Sequence, residues 1–140
     1  MNAGVIDASV MAMLLFREAH SMAAENWMRR TQRPLAPDLI WAEVANVVWK
    51  RHRRQEISTT EALAITDQLL AAPIHIYPSS DLIKDATELA LKFDRTIYDS
   101  LYLALAIRTK TVLVSGDKRL VNSLKNTNIE KYVVWIGNSK

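Results

Sequence analysis

Val112-Leu113-Val114-Ser115-Gly116-Asp117 is a short apolar run that breaks at a small-residue turn and reaches an acid. Val5-Ile6-Asp7-Ala8-Ser9 has the same order in shorter form. A continuous apolar run of this length, bounded by turn residues, suits a strand covered on both faces. Working outward, Ile74-His75-Ile76-Tyr77 before Pro78, Leu35-Ala36 closed by Pro37, and Tyr132-Val133-Val134-Trp135-Ile136 read as further strands. Helical patterns fill the gaps. They are expected from Ser9, from about Ser21 to Arg30, from Asp38 to about Arg54, after Ser58, across Leu82, Ala86, Leu89, Ala90 and Phe93, and from Thr96 through Ile107. Ser58-Thr59-Thr60-Glu61 has the form of a capping box, and Pro73 ends the helix it starts. Strands alternating with helices predict a layered α/β domain around a mostly parallel sheet of four to five short strands, spanning residues 1–140.

The composition is that of an ordinary globular domain, with 49% hydrophobic and 24% charged residues among 140. The absence of cysteine removes disulfides, thiolate nucleophiles and Cys-ligated zinc together. Met1-Asn2-Ala3-Gly4-Val5-Ile6-Asp7 lacks the basic start of a signal peptide, and no apolar stretch is long enough to span a bilayer, so a cytoplasmic protein is expected. A net charge of +3, from 18 Lys+Arg against 15 Asp+Glu, is a weak pointer to a polyanionic partner. Its distribution says more: Lys50-Arg51-His52-Arg53-Arg54 is a compact basic run, and Arg29, Arg30 and Arg33 form a second. Both runs fit nucleic-acid contact, and both equally fit solvated helix ends, where cations suit the macrodipole.

Four acids stand apart. In an open parallel sheet, ligands gather beyond the carboxyl ends of the strands. Asp7 and Asp117 each follow a strand there, although an aspartate after a strand is also a common turn or cap residue. Asp99 begins a helix, Ile97 to Ile107, that is apolar on nearly every face, and a buried carboxylate needs a partner. Thr96-Ile97-Tyr98-Asp99 resembles a capping box, which explains how an acid is tolerated there but not why one is required. Glu43 sits among apolar residues with Asn46 and Lys50 on its side of the helix, a pattern that also fits a solvent-facing stripe. Were the four to meet, two carboxylates about 4 Å apart would repel by roughly 4 kcal/mol at an effective dielectric near 20. Such a cluster implies a hard divalent cation such as magnesium or manganese, which prefers carboxylate oxygens.

The ordered set Val5-Ile6-Asp7-Ala8-Ser9, Pro37 to Asn46, Ile97 to Ala106 and Val114 to Leu120 resembles the PIN-domain ribonucleases, in particular the VapC-type toxins of toxin–antitoxin pairs. The resemblance covers essentially the whole chain and implies a PIN-like three-layer fold. Residue by residue, Asp7, Glu43, Asp99 and Asp117 match the family's acidic, metal-binding catalytic quartet. Ser9 and Ser115 match its hydroxyl positions, with serine where threonine is commoner at 115, and Asn46 matches a supporting polar residue. The resemblance implies Mg2+- or Mn2+-dependent endoribonuclease activity, with a metal-activated water leaving 5′-phosphate and 3′-hydroxyl ends. It also implies a homodimer silenced by a small antitoxin, and the apolar cluster Met11, Met13, Leu14, Leu15 and Phe16 is a candidate contact surface. Lys50, Arg51, Arg53 and Arg54 are the expected RNA contacts, about 10–17 Å beyond Glu43 at 1.5 Å per helical residue.

Other readings fit less well. A haloacid-dehalogenase-like phosphotransferase wants a second aspartate where Ser9 stands, and a response-regulator receiver wants adjacent acids at its first strand. Three glycines make no phosphate-binding loop, there is no G-x-S-x-G, and His20, His52 and His75 show no zinc spacing. The rival from another class is a catalytically inactive PIN-like module that binds RNA or protein.

Overall fold

The computed structural model describes residues 3–138, so Met1 and Asn2 of the opening segment lie outside the described residues. Five strands form one sheet: β1 (Ala3–Ile6), β2 (Arg33–Pro37), β3 (His75–Tyr77), β4 (Leu113–Ser115) and β5 (Val133–Trp135). Their order is β3-β2-β1-β4-β5 and every pairing is parallel. The chain therefore moves one way from β1 through β2 to β3, then returns to place β4 on the other side of β1. That reversal puts the topological switch point between β1 and β4, where Ile6 is in register with Val114.

Among the described residues seven α-helices cover the sheet: α1 (Ala8–Leu15), α2 (Ser21–Arg30), α3 (Leu39–Arg53), α4 (Thr59–Leu70), α5 (Ile83–Phe93), α6 (Ile97–Thr109) and α7 (Lys118–Ser123). Parallel strands require long crossovers, and these helices are those crossovers. The all-round apolar character of α6 has its reason in burial: every residue from Ser100 to Ala106 is buried, and the helix packs against β1, β2 and β4. The capping box before α4 forms in both directions, Ser58 Oγ accepting from the Glu61 amide at 3.0 Å and the Glu61 carboxylate from the Ser58 amide at 2.9 Å. Asp38 precedes α3 without capping it; its carboxylate instead accepts from the Ser79 amide at 3.2 Å and the Ser79 hydroxyl, tying α3 to the end of β3. The short helix α7 carries no periodic apolar signal, and only its capping aspartate foreshadows it.

One expectation is corrected. Met11, Met13 and Phe16 are at most 9% exposed and belong to the core, which leaves Leu14 and Leu15 as the partly exposed members of the candidate contact cluster. Helix α1 has neighbours on most sides, with α2, α3, α4 and β4 all against it, so one helix absorbs more apolar side chains than a single buried face would allow. The large apolar side chains left exposed lie elsewhere, Met22, Leu63, Leu70 and Leu91 among them. No helix among the described residues is long and apolar enough to cross a membrane.

Candidate active site

Asp7 leaves β1 and is the N-cap of α1, its Oδ1 accepting from the Val10 amide at 3.1 Å and from the Ser9 hydroxyl. Ser9 thus lies inside the first turn, and Asp7 is the residue that caps it. Its oxygen accepts from the Gly116 amide at 2.8 Å, which ties the start of α1 to the end of β4. Gly116 is needed for this close approach and not for backbone freedom, because no glycine has positive φ and a Cβ there would stand 3.0 Å from Ser9 Oγ and 2.4 Å from Met13 Cε. Ser115, fully buried, accepts from the Asp117 amide at 3.0 Å, and its hydroxyl acts to lower the Asp7 pKa. Two hydroxyls from two neighbouring segments therefore act on one buried acid.

The other three acids arrive from different elements. Glu43, midway along α3, accepts from the Tyr102 hydroxyl of α6 at 2.6 Å. Asp99 lies in the first turn of α6, where Thr96 Oγ1 accepts from its amide at 3.1 Å, half of a capping box. The reciprocal half is missing, because the Asp99 carboxylate pairs with Arg95 at 3.3 Å. Asp117 is both a strand-end acid and a helix cap: its Oδ1 accepts from the Arg119 and Leu120 amides at 3.0 and 3.3 Å. All four line one small cavity of about 150 Å³, with Ser9 and Tyr102 beside them. Two larger hollows, about 460 Å³ beside α5 and α6 and about 700 Å³ between the end of α3 and the start of α4, mix acids with bases and concentrate neither charge.

Burial pushes the Asp7 carboxyl above the usual carboxylate range, against the lowering effect of its hydroxyl and amide donors, and the charge of Asp99 adds to the rise. Glu43 is raised as well, first by burial and then by Asp7 and Asp99, with Tyr102 opposing. These acids therefore feel one another across the cavity. Among the described residues, Arg95 is the sole ion-pair partner of any of the four.

No group of three or more acidic, imidazole or thiolate side chains among the described residues already stands as a metal cage. The hydrogen bonds explain this spread: one oxygen each of Glu43, Asp99 and Asp117 is held by Tyr102, Arg95 and the α7 amides. The donor set still fits a hard divalent cation, since magnesium takes one or two carboxylates, keeps several waters and needs no all-protein cage.

Sequence reasoning missed Tyr102 and Arg95. A phenol one turn beyond Asp99, in a helix otherwise built of apolar residues, was the available signal, because a buried tyrosine hydroxyl needs a partner. Asn46 is exposed and lies outside the cavity lining. In the basic run, Arg51 turns inward: it pairs with Glu18, lies 3.5 Å from Glu56 and stacks 4.2 Å over the Phe16 ring. Lys50, Arg53 and Arg54 remain exposed, with Arg53 lying 5.3 Å over Trp49.

The family model of the PIN domain matches residues 4–123. Ribonuclease VapC3 of Pyrobaculum aerophilum is 37% identical over 120 residues, 83% of this chain and 90% of that protein. Among solved structures, PAE2754 from Pyrobaculum aerophilum aligns with a TM-score of 0.71 at 20% identity, covering 98% of this chain and 85% of that one. A toxin–antitoxin complex from Klebsiella pneumoniae aligns at 0.61 and 18% identity, over 94% of this chain and 95% of that one.

Proposed function

The chain belongs to the PIN-domain family, and from that premise we propose that it is a divalent-metal-dependent endoribonuclease acting as the toxin of a toxin–antitoxin pair. The observation that carries this reading is the meeting of Asp7, Glu43, Asp99 and Asp117, from four separate elements, in one cavity at the sheet's switch point. A module that only binds RNA would gain nothing from acids facing a polyanion, because each adds repulsion. In this reading the four carboxylates hold magnesium or manganese. When bound, such a cation activates a water and stabilises the oxygens of a phosphodiester displacement. Ser9 orients Asp7, with the Ser115 hydroxyl acting on the same carboxyl, and the Gly116–Ser9 bond ties the end of β4 to the start of α1 at the cavity.

The ribonuclease relative supports RNA as substrate, and the Klebsiella pneumoniae complex supports a small antitoxin as partner. A homodimer in the cytoplasm completes the proposal. The direct test is incubation of the purified chain with labelled RNA. Cleavage is expected with magnesium or manganese and none with EDTA, the products carrying 5′-phosphates. Intact RNA at every metal concentration favours the inactive binding module instead, and cutting that persists in EDTA overturns the metal dependence.

Lys50, Arg53 and Arg54 are assigned to the RNA backbone, with Arg51 now serving the fold. Each phosphate contact steepens the fall of affinity with salt by about 0.7 in the log–log slope for single strands. Replacing Arg53 and Arg54 with Gln should therefore flatten the slope by about 1.4, measured by RNA binding in calcium, which holds charge balance while slowing cleavage. An unchanged slope returns both to a solvated helix end.

A further inference from the structure

The structure assigns Tyr102 as a positioning residue for Glu43, a neutral donor that sets the acid's reach toward the cation while leaving its charge intact. This rests on the metal-site reading above. Tyr102 is 3% exposed, so its ring is fixed by packing, and its hydroxyl lies 2.6 Å from Glu43 Oε1. A phenol has one proton to donate, and here it goes to that carboxylate. That bond joins the middle of α3 to the second turn of α6, the elements that carry Glu43 and Asp99.

The choice of donor has a physical reason. Glu43 is half-buried on a helix and has no other hydrogen-bond partner among the described residues. A lysine or arginine in that place would hold it equally well but would cancel the charge that attracts a divalent cation, as Arg95 partly does for Asp99. A neutral O–H restricts the carboxylate and leaves its second oxygen and its charge to the cavity. Donors behind metal-binding carboxylates are typically worth about 10–100-fold in metal affinity.

The test is Tyr102→Phe, which keeps the ring and removes the hydroxyl. Magnesium affinity, read by calorimetry on the RNA-free protein, is expected to fall roughly 10–100-fold. RNA cleavage should fall at low magnesium and recover as magnesium is raised, whereas a packing defect would not be rescued by the ion. In a Glu43→Gln background the same change should leave magnesium affinity where Glu43→Gln alone puts it. A wild type that binds magnesium as tightly as Tyr102→Phe overturns the assignment alone, as does an equal loss in the Glu43→Gln background. Should Tyr102→Phe fail to fold, Tyr102→Trp or a cycle confined to Glu43→Gln and Glu43→Asp still decides: equal magnesium affinity for Glu43→Asp and wild type shows that reach is not set at this point, and overturns it. A wild type that binds no magnesium sinks the metal-site reading, and the assignment falls with it.

Discussion

Asp7→Asn should abolish metal-dependent RNA cleavage and leave the metal-free protein as stable as the wild type, or more so, at neutral pH. The local hydrogen bonding survives the change, because Asn caps a helix about as well as Asp and keeps an Oδ1 for the Val10 amide. The Ser9 hydroxyl donates to that same oxygen and keeps its acceptor, while the new amide group faces the other side, where a hydroxyl can rotate to accept from it. What disappears is a buried charge. Burial holds the Asp7 carboxyl above its ordinary range, so the folded state binds its proton more tightly than the unfolded chain does. Its contribution to stability is therefore fully present below the unfolded value and is lost as pH rises through the elevated one. Metal-free wild type should lose melting temperature over that interval and Asp7→Asn should lose less, so the gap between them widens with pH. Magnesium should reverse the order. Binding linkage at 100 times the dissociation constant stabilises by about 2.7 kcal/mol, and the variant, short of one ligand, gains less. Thermal melts with and without magnesium at several pH values, beside cleavage of labelled RNA, decide the matter. A variant that still cuts, or that melts well below wild type without metal, makes Asp7 a structural cap and nothing more.

Much of this site was legible in the sequence because its acids sit at punctuation marks. Asp7 and Asp117 follow apolar runs, and a strand that ends at an acid fixes both the element and the edge. Asp99 was marked by its surroundings, since an acid at the head of the wholly buried stretch Ser100–Ala106 has few innocent explanations. What stayed hidden depends on contacts distant in sequence. The Tyr102–Glu43 bond spans 59 residues and the Gly116–Ser9 bond 107, and no periodicity encodes either. Arg51 shows the same limit from the other side. Within a basic run it looked like its neighbours, and what turns it inward is Glu18, 33 positions away, with the Phe16 ring beside it. The surplus of apolar residues in α1 misled for a related reason: a helix with neighbours on several sides can bury residues that one face could not hold.

Asp99→Asn should abolish cleavage as completely as Asp7→Asn, yet its metal-free stability should move the other way. Like charges brought together would suggest that removing either acid relieves a crowded site. The structure separates them, because Asp99 has a cation of its own: Arg95 lies one turn before it at 3.3 Å, with the two side chains 25% and 29% exposed. Pairs this open to solvent contribute about 0–1 kcal/mol, and the substitution forfeits that. The helix cap is untouched, since Thr96 accepts from the backbone amide of residue 99 and not from its carboxylate. Against the lost pair stands the relief of Asp7 and Glu43, for both of which Asp99 is the least of the effects raising the pKa. The balance is a small loss, under about 1 kcal/mol, where a broken buried pair would cost about 3–5 kcal/mol. The origin of that loss can be isolated in an Arg95→Gln background, where no pair remains to break and Asp99→Asn should become neutral or stabilising. The same pair explains why the cation must compete: magnesium reaches Asp99 only by sharing it with, or displacing, the guanidinium of Arg95. Metal-free melts of the two single variants and the double variant, with RNA cleavage measured alongside, test the whole argument. Loss of cleavage together with opposite stability shifts for Asp7→Asn and Asp99→Asn is the expected pattern. Shifts of the same sign and size would mean that burial and ion pairing do not divide the work at this site as the geometry says.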